Sequence, residues 1–142
     1  MMMKKKASRL LLPVLALTAC LFLLTACQDL APGFDEDAMY ERGCQVIELC
    51  NARDYEAVLA LFDQELLGTE ITAADLAAEL DPVLDEYGAF EGFKTHAVAG
   101  SKDKNSGMDL GILAIRCAYE NKKVIYTITF TENNELVGLF VK

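Results

Sequence analysis

The chain has no Trp and a single His, His96. It also lacks basic residues where a polyanion binder would need them. Four of the 13 Lys and Arg precede Cys27, and all 22 acids follow it. The 116 residues after position 26 therefore carry a charge of −13. Nucleic acid is excluded as a partner, because phosphate binding needs clustered Lys and Arg. Electrostatic attraction to anionic headgroups is excluded on the same ground. Besides Cys27, three later cysteines remain, Cys44, Cys50 and Cys117. An odd number does not make a disulfide framework. With no CxxC pair and one His, no spacing suggests a metal site, and neither metal nor cofactor is expected. The apolar run at residues 10–24 falls short of the about 20 residues a bilayer core requires. It holds Pro13, and no stop-transfer charges follow it.

That run has a different use. Lys4, Lys5, Lys6 and Arg9 precede it, and small residues follow it. This is the basic, apolar and cleavage-site order of a secretory leader. Leu24-Thr25-Ala26-Cys27 closes the run and resembles the bacterial lipobox. That resemblance implies recognition of Leu24, Thr25 and Ala26 by a signal peptidase, and a diacylglyceryl group on Cys27. Leu17-Thr18-Ala19-Cys20 repeats the pattern, but cutting there would strand the apolar residues 21–24 at the mature N-terminus. The expected division is a leader at 1–26, a lipidated tether at 27–34 and one domain at 35–142. Each buried CH₂ contributes about 0.8 kcal/mol, so two acyl chains anchor stably where one does not. A seven-residue tether at roughly 3.5 Å per residue reaches at most ~25 Å, which keeps the domain near the bilayer. The expected address is the extracytoplasmic face of a bacterial cell membrane.

The domain begins with helical spacing. Residues 35–51 place Met39, Gly43, Val46, Ile47 and Cys50 on one face. Asp35, Glu36 and Asp37 suit a helix N-terminus, and they lack the alternating oxygens and Gly of a calcium loop. Asp54 caps a second helix with a Tyr55, Val58, Leu59, Phe62 stripe. Thr72 opens a third, with Asp75 completing a capping box. Leu76, Leu80, Val83, Leu84 and Tyr87 share its face, and Gly88 stops it. Pro82 predicts a kink, or a break with Asp81 capping a last short turn.

After Ala89 the period becomes that of a strand. Strands are predicted at 90–99, 108–120, 123–131 and 135–141, with a loop at 100–107 and a turn at Asn133-Asn134. A two-residue hairpin turn at Asn121-Lys122 would pair residues whose numbers sum to 243. Leu113, Ile115, Cys117 and Tyr119 then share an apolar face with Val124, Tyr126, Ile128 and Phe130. The other face carries Ala114, Arg116, Ala118, Ile125, Thr127 and Thr129, either wet or a subunit contact.

Three N-terminal helices on one face of a four-stranded antiparallel sheet make an α+β domain. The order Asp54-Tyr55, Val58, Phe62, then Thr72 and Leu76, then Gly88-Ala89-Phe90, then Tyr126 to Phe130 and Leu136-Val137-Gly138-Leu139 resembles a bacterial domain of unknown function, that numbered 3887. The resemblance spans about residues 41–142. It implies a cone fold similar to nuclear transport factor 2, found in secreted or lipid-anchored proteins, and it carries no catalytic residues.

Cones of that kind can hold a ligand between sheet and helices. Tyr87, Tyr119 and Tyr126 are the candidate pocket lining, although phenols beside Phe and Ile usually pack as core with one hydrogen bond. His96 has no identifiable nucleophile or acid beside it. Cys50 and Cys117 could pair across helix and sheet or remain buried thiols. Cys44 and Cys50 lie about 9 Å apart along one helix, beyond disulfide reach. The expected function is a non-catalytic module that binds a small ligand or a protein near the membrane. A homodimer through Ile125, Thr127 and Thr129, and a cone-fold enzyme acting on an envelope component, are the alternatives.

Overall fold

The computed structural model describes residues 28–68 and 70–142. Leu24, Thr25, Ala26 and Cys27, the expected processing and acylation site, lie outside them, as do the other residues of 1–27. Among the described residues no helix is long and apolar enough to cross a membrane. Four helices precede four strands: α1 (Glu36–Asn51), α2 (Tyr55–Ala60), α3 (Gln64–Leu67), α4 (Ala73–Tyr87), β1 (Phe90–Lys102), β2 (Asp109–Tyr119), β3 (Lys123–Phe130) and β4 (Leu136–Val141). The strands form one antiparallel meander in the order β1-β2-β3-β4.

Local chemistry sets each helix start. The Asp35, Asp54 and Asp63 carboxylates accept backbone N–H groups at the heads of α1, α2 and α3. Thr72 and Asp75 make both halves of a capping box on α4, satisfying donors that the first turn leaves unpaired. The fourth helix corrects the expected count of three. α3 is a single turn held by Asp63, too short for any apolar period to appear in sequence. Phe62, expected on the α2 stripe, leaves the helix and forms a parallel bridge with Leu136.

α4 runs unbroken through Pro82, so the expected alternative of a break, with Asp81 capping a last short turn, is corrected. Pro82 is exposed, and the helix is held on both sides of it. Leu84 and Tyr87 are buried. The Asp81 carboxylate caps nothing: it accepts from the Tyr55 hydroxyl at 2.5 Å and Arg53 Nη1 at 2.9 Å.

α1 lies across β1, β2 and β3, α2 packs on α1, and α4 packs on α2. Gly43 permits the close approach of α1, since a Cβ there would stand 2.5 Å from Leu113 Cδ2. The inner sheet face is the expected one: Leu113, Ile115, Cys117, Tyr119, Val124, Tyr126, Ile128 and Phe130 are all buried.

The register between β2 and β3 differs from expectation. Leu113 pairs with Ile128, Ile115 with Tyr126 and Cys117 with Val124, so paired numbers sum to 241. The turn is Glu120-Asn121, closed by Tyr119 N–H donating to Lys122 O at 2.8 Å. A change of two in the sum moves partners but not faces, because side chains alternate with period two. The turn is chosen by the end of α4. Asn121 N–H donates to Tyr87 O at 3.0 Å, Glu120 N–H to Ala89 O at 2.8 Å, and Asn121 Nδ2 to Glu86 O at 3.2 Å. The bonds to Tyr87 O and Glu86 O satisfy carbonyls that a helix end leaves unpaired.

Residues 28–34, read as a tether, lie on the domain. Gln28 pairs with Gly100, whose N–H donates to Gln28 O at 2.6 Å. A Cβ on Gly100 would collide with the Asp29 carbonyl. Leu30 and Phe34 pack against the core.

Candidate functional site

Helix α4 carries one apolar face, but only its C-terminal half is covered. Leu84 and Tyr87 are buried, while Leu76, Leu80 and Val83 are half-buried. The physical reason is the width of the sheet. β4 is its last strand, and beside it the N-terminal half of α4 has no strand to cover. The result is a groove of about 690 Å³ between α4 and β4. Leu76, Leu80 and Val83 form one wall, and Val137, Leu139 and Val141 the other. Leu59, Phe62 and Leu67 line it as well. Ile71 and Phe140 also line it and are exposed large apolar residues, 46% and 53% accessible. The charged lining residues are Asp75 and Glu79, one turn apart on α4. The lining is thus apolar, with two carboxylates on one face of α4.

The tyrosines expected to line a pocket are elsewhere. Tyr126 is fully buried, and its hydroxyl lies 2.6 Å from that of Tyr119. Tyr119 also donates to Asn51 Oδ1 at 2.7 Å. Tyr87 tilts against the Tyr119 ring at 5.4 Å. Burial pushes the Tyr119 phenol up to about 12. Burial and the Tyr119 hydroxyl push Tyr126 further upward. These are packed, neutral phenols, and none lines the groove.

His96 has an acid beside it that the sequence did not reveal. Its Nε2 lies 3.4 Å from Glu36 Oε1, and its ring stacks on Tyr40 at 4.1 Å. The group sits on β1, at the sheet edge opposite the groove, roughly 14 Å away at ~4.8 Å per strand. Cys44, Cys50 and Cys117 are free thiols. Among the described residues no group of His, Cys, Asp and Glu could hold a metal ion.

A second cluster was equally hidden. Arg53 adopts φ 61° between α1 and α2 and reaches Asp81 at 2.9 Å and Asp85 at 2.8 Å on α4. The hydrogen bond from Tyr55, then those from Arg53, hold the Asp81 carboxyl below its ordinary value. A depressed folded pKa gives stability that is present above the unfolded value and lost as pH falls through the folded one. Asp81→Asn should therefore lower the urea midpoint at pH 7, and the gap to the parent should close as pH drops below about 4. A gap that stays constant from pH 7 to pH 3 would remove the linkage.

The comparisons with known proteins agree with this architecture. An NMR structure of a protein from Ruminococcus gnavus ATCC 29149 is similar at 24% identity and a TM-score of 0.68, covering 80% of this chain and 96% of that one. At that identity the likeness shows the fold alone. No curated protein matches. Residues 44–139 match the family described as "Protein of unknown function (DUF3887)", and the chain belongs to that family.

Proposed function

We propose that this protein is a lipid-anchored extracytoplasmic binding module. Residues 1–26 direct export, the Cys27 thiol carries the diacylglyceryl group, and the domain takes a ligand in the groove between α4 and β4 without chemical conversion. The observation that carries the binding reading is the uncovered apolar wall Leu76, Leu80 and Val83 facing Leu139 and Val141 across about 690 Å³. A space of that size with few polar groups matches what small-molecule and peptide sites use. The helix-first order and four-stranded meander support a cone similar to nuclear transport factor 2. Docking of Gln28 on Gly100 would hold the anchored end of the chain against the sheet, one residue from the acylated thiol.

Two measurements on the full chain test this. Expressed in a bacterial host, it should enter the detergent phase on Triton X-114 separation, and Cys27→Ser should stay aqueous. A parent chain found in the aqueous phase removes the anchor. For the groove, indole at millimolar concentration should shift the methyl resonances of Leu80, Val83 and Leu139 and leave those of Leu113 and Ile128 in place. Unmoved groove methyls remove the binding reading.

A second reading is a homodimer through the outer sheet face near Thr127 and Thr129, favoured by the exposure of Ile125 and Phe140 there. Light scattering that finds a monomer at high micromolar concentration removes it.

A further inference from the structure

The sequence treats the two sheet edges differently. β1 carries Glu91 and Lys94, shifts register at Phe90/Gly92 and again at Phe93/Thr95, and is covered near its end by Gln28. Charge, irregularity and cover are the devices by which an edge avoids pairing. β4 reads Leu136-Val137-Gly138-Leu139-Phe140-Val141, without charge or Pro, and its one register shift lies at its start.

The backbone of β4 is open as well. Ile125 and Lys142 exchange both hydrogen bonds, at 2.8 and 3.0 Å. Antiparallel alternation then turns the N–H and C=O groups of Leu139 and Val141 away from β3, toward the groove. Among the described residues nothing bonds to them. Only the start of this edge is taken. Leu136 N–H donates to Leu61 O at 3.0 Å, and Asp63 N–H donates to Leu136 O at 2.8 Å. The chain thus begins a fifth strand at Phe62 and abandons it at α3.

We propose that the groove takes an extended peptide segment of a partner protein, added to β4 as a fifth strand. Its backbone pairs with Leu139 and Val141. Alternate apolar side chains enter between β4 and the Leu76, Leu80 and Val83 wall, and a Lys or Arg meets Asp75 and Glu79. At ~3.3 Å per residue, residues 137–141 offer an edge of roughly 16 Å, room for two or three inward side chains. Main-chain bonds supply affinity and the pockets supply selectivity, as in other strand additions. Charge selects a basic segment over a second copy, since each copy carries a charge of −13 after position 26 and would bring its own Asp75 and Glu79 to the interface. The proposal rests on the groove being the binding site and narrows its ligand to a polypeptide.

The test uses the detergent-solubilised full chain and a fluorescein-labelled peptide, Lys-Val-Thr-Val-Thr-Val-Lys. A second peptide has every Val and Thr N-methylated, which keeps the side chains and removes the backbone donors. The first should bind saturably, and the second at least tenfold more weakly. Amide exchange at Leu139 and Val141 should slow at least tenfold on binding. The Asp75→Asn, Glu79→Gln double variant should weaken binding and flatten its salt dependence. Equal binding of both peptides, or protection elsewhere than β4, overturns the proposal. If indole moves the groove methyls but the first peptide does not bind, strand addition fails and the groove reading stands. If neither binds, both fall. Leu139 and Val141 amides already protected without peptide, in a chain that scatters as a dimer, would make a second copy the occupant and overturn the proposal.

Discussion

Tyr126→Ala should destabilise the domain by about 3–5 kcal/mol, the range for truncating a large buried aromatic. Tyr126→Phe should cost only about 1 kcal/mol, the net value of one hydrogen bond. The side chain is fully buried on the inner face of β3, paired with Ile115 on one side and Val141 on the other. Ala leaves a void that the sheet cannot close, because the neighbouring strands hold its walls apart. Phe keeps the volume and removes only the hydroxyl. Tyr119 then still donates to Asn51 Oδ1, so no buried donor is orphaned. Against a total stability of about 5–15 kcal/mol, the Ala variant loses from about a fifth to the whole. Urea unfolding followed by circular dichroism reads both variants. An Ala variant within 1 kcal/mol of the parent would mean that Tyr126 borders a soft cavity rather than a packed core.

The second large effect concerns thiol chemistry. Burial pushes Cys50 up to about 12 and Cys117 up to about 11. Both are inaccessible, Cys50 on the sheet-facing side of α1 and Cys117 on the inner face of β2. Since the thiolate is the reactive form, iodoacetamide at pH 8 should label both on the order of a thousandfold more slowly than a free thiol. In urea the labelling should reach the free-thiol rate. Peptide-resolved mass spectrometry separates these two sites from half-buried Cys44. Fast labelling of either one in a folded chain would show that α1 lifts from the sheet in a local opening.

The same residues show how far local reasoning reaches. The apolar faces of α1 and of β2 with β3 were legible because each is a period within one element. The starts of α1, α2 and α4 were legible because a cap and its donors lie within three residues. The register was not, since Asn121 chooses its turn by bonding Tyr87 and Glu86 at the end of α4. The groove was not, because Leu76, Leu80 and Val83 have the spacing of a buried face and only the missing fifth strand leaves them open. His96 with Glu36, and Arg53 with Asp81, are pairs far apart in the chain with no local signature.

By itself the sequence determined the order of the three longer helices and the four strands, the faces they bury and the excess of acid, and it raised the expectation of a leader at 1–26. Those follow from periodicity, capping and composition, which act over a few residues. The tertiary structure alone decided the β2–β3 register, the passage of α4 through Pro82, the docking of residues 28–34 and the open edge beside α4. These depend on which element covers which, a matter of packing geometry between segments that the chain brings together only when folded.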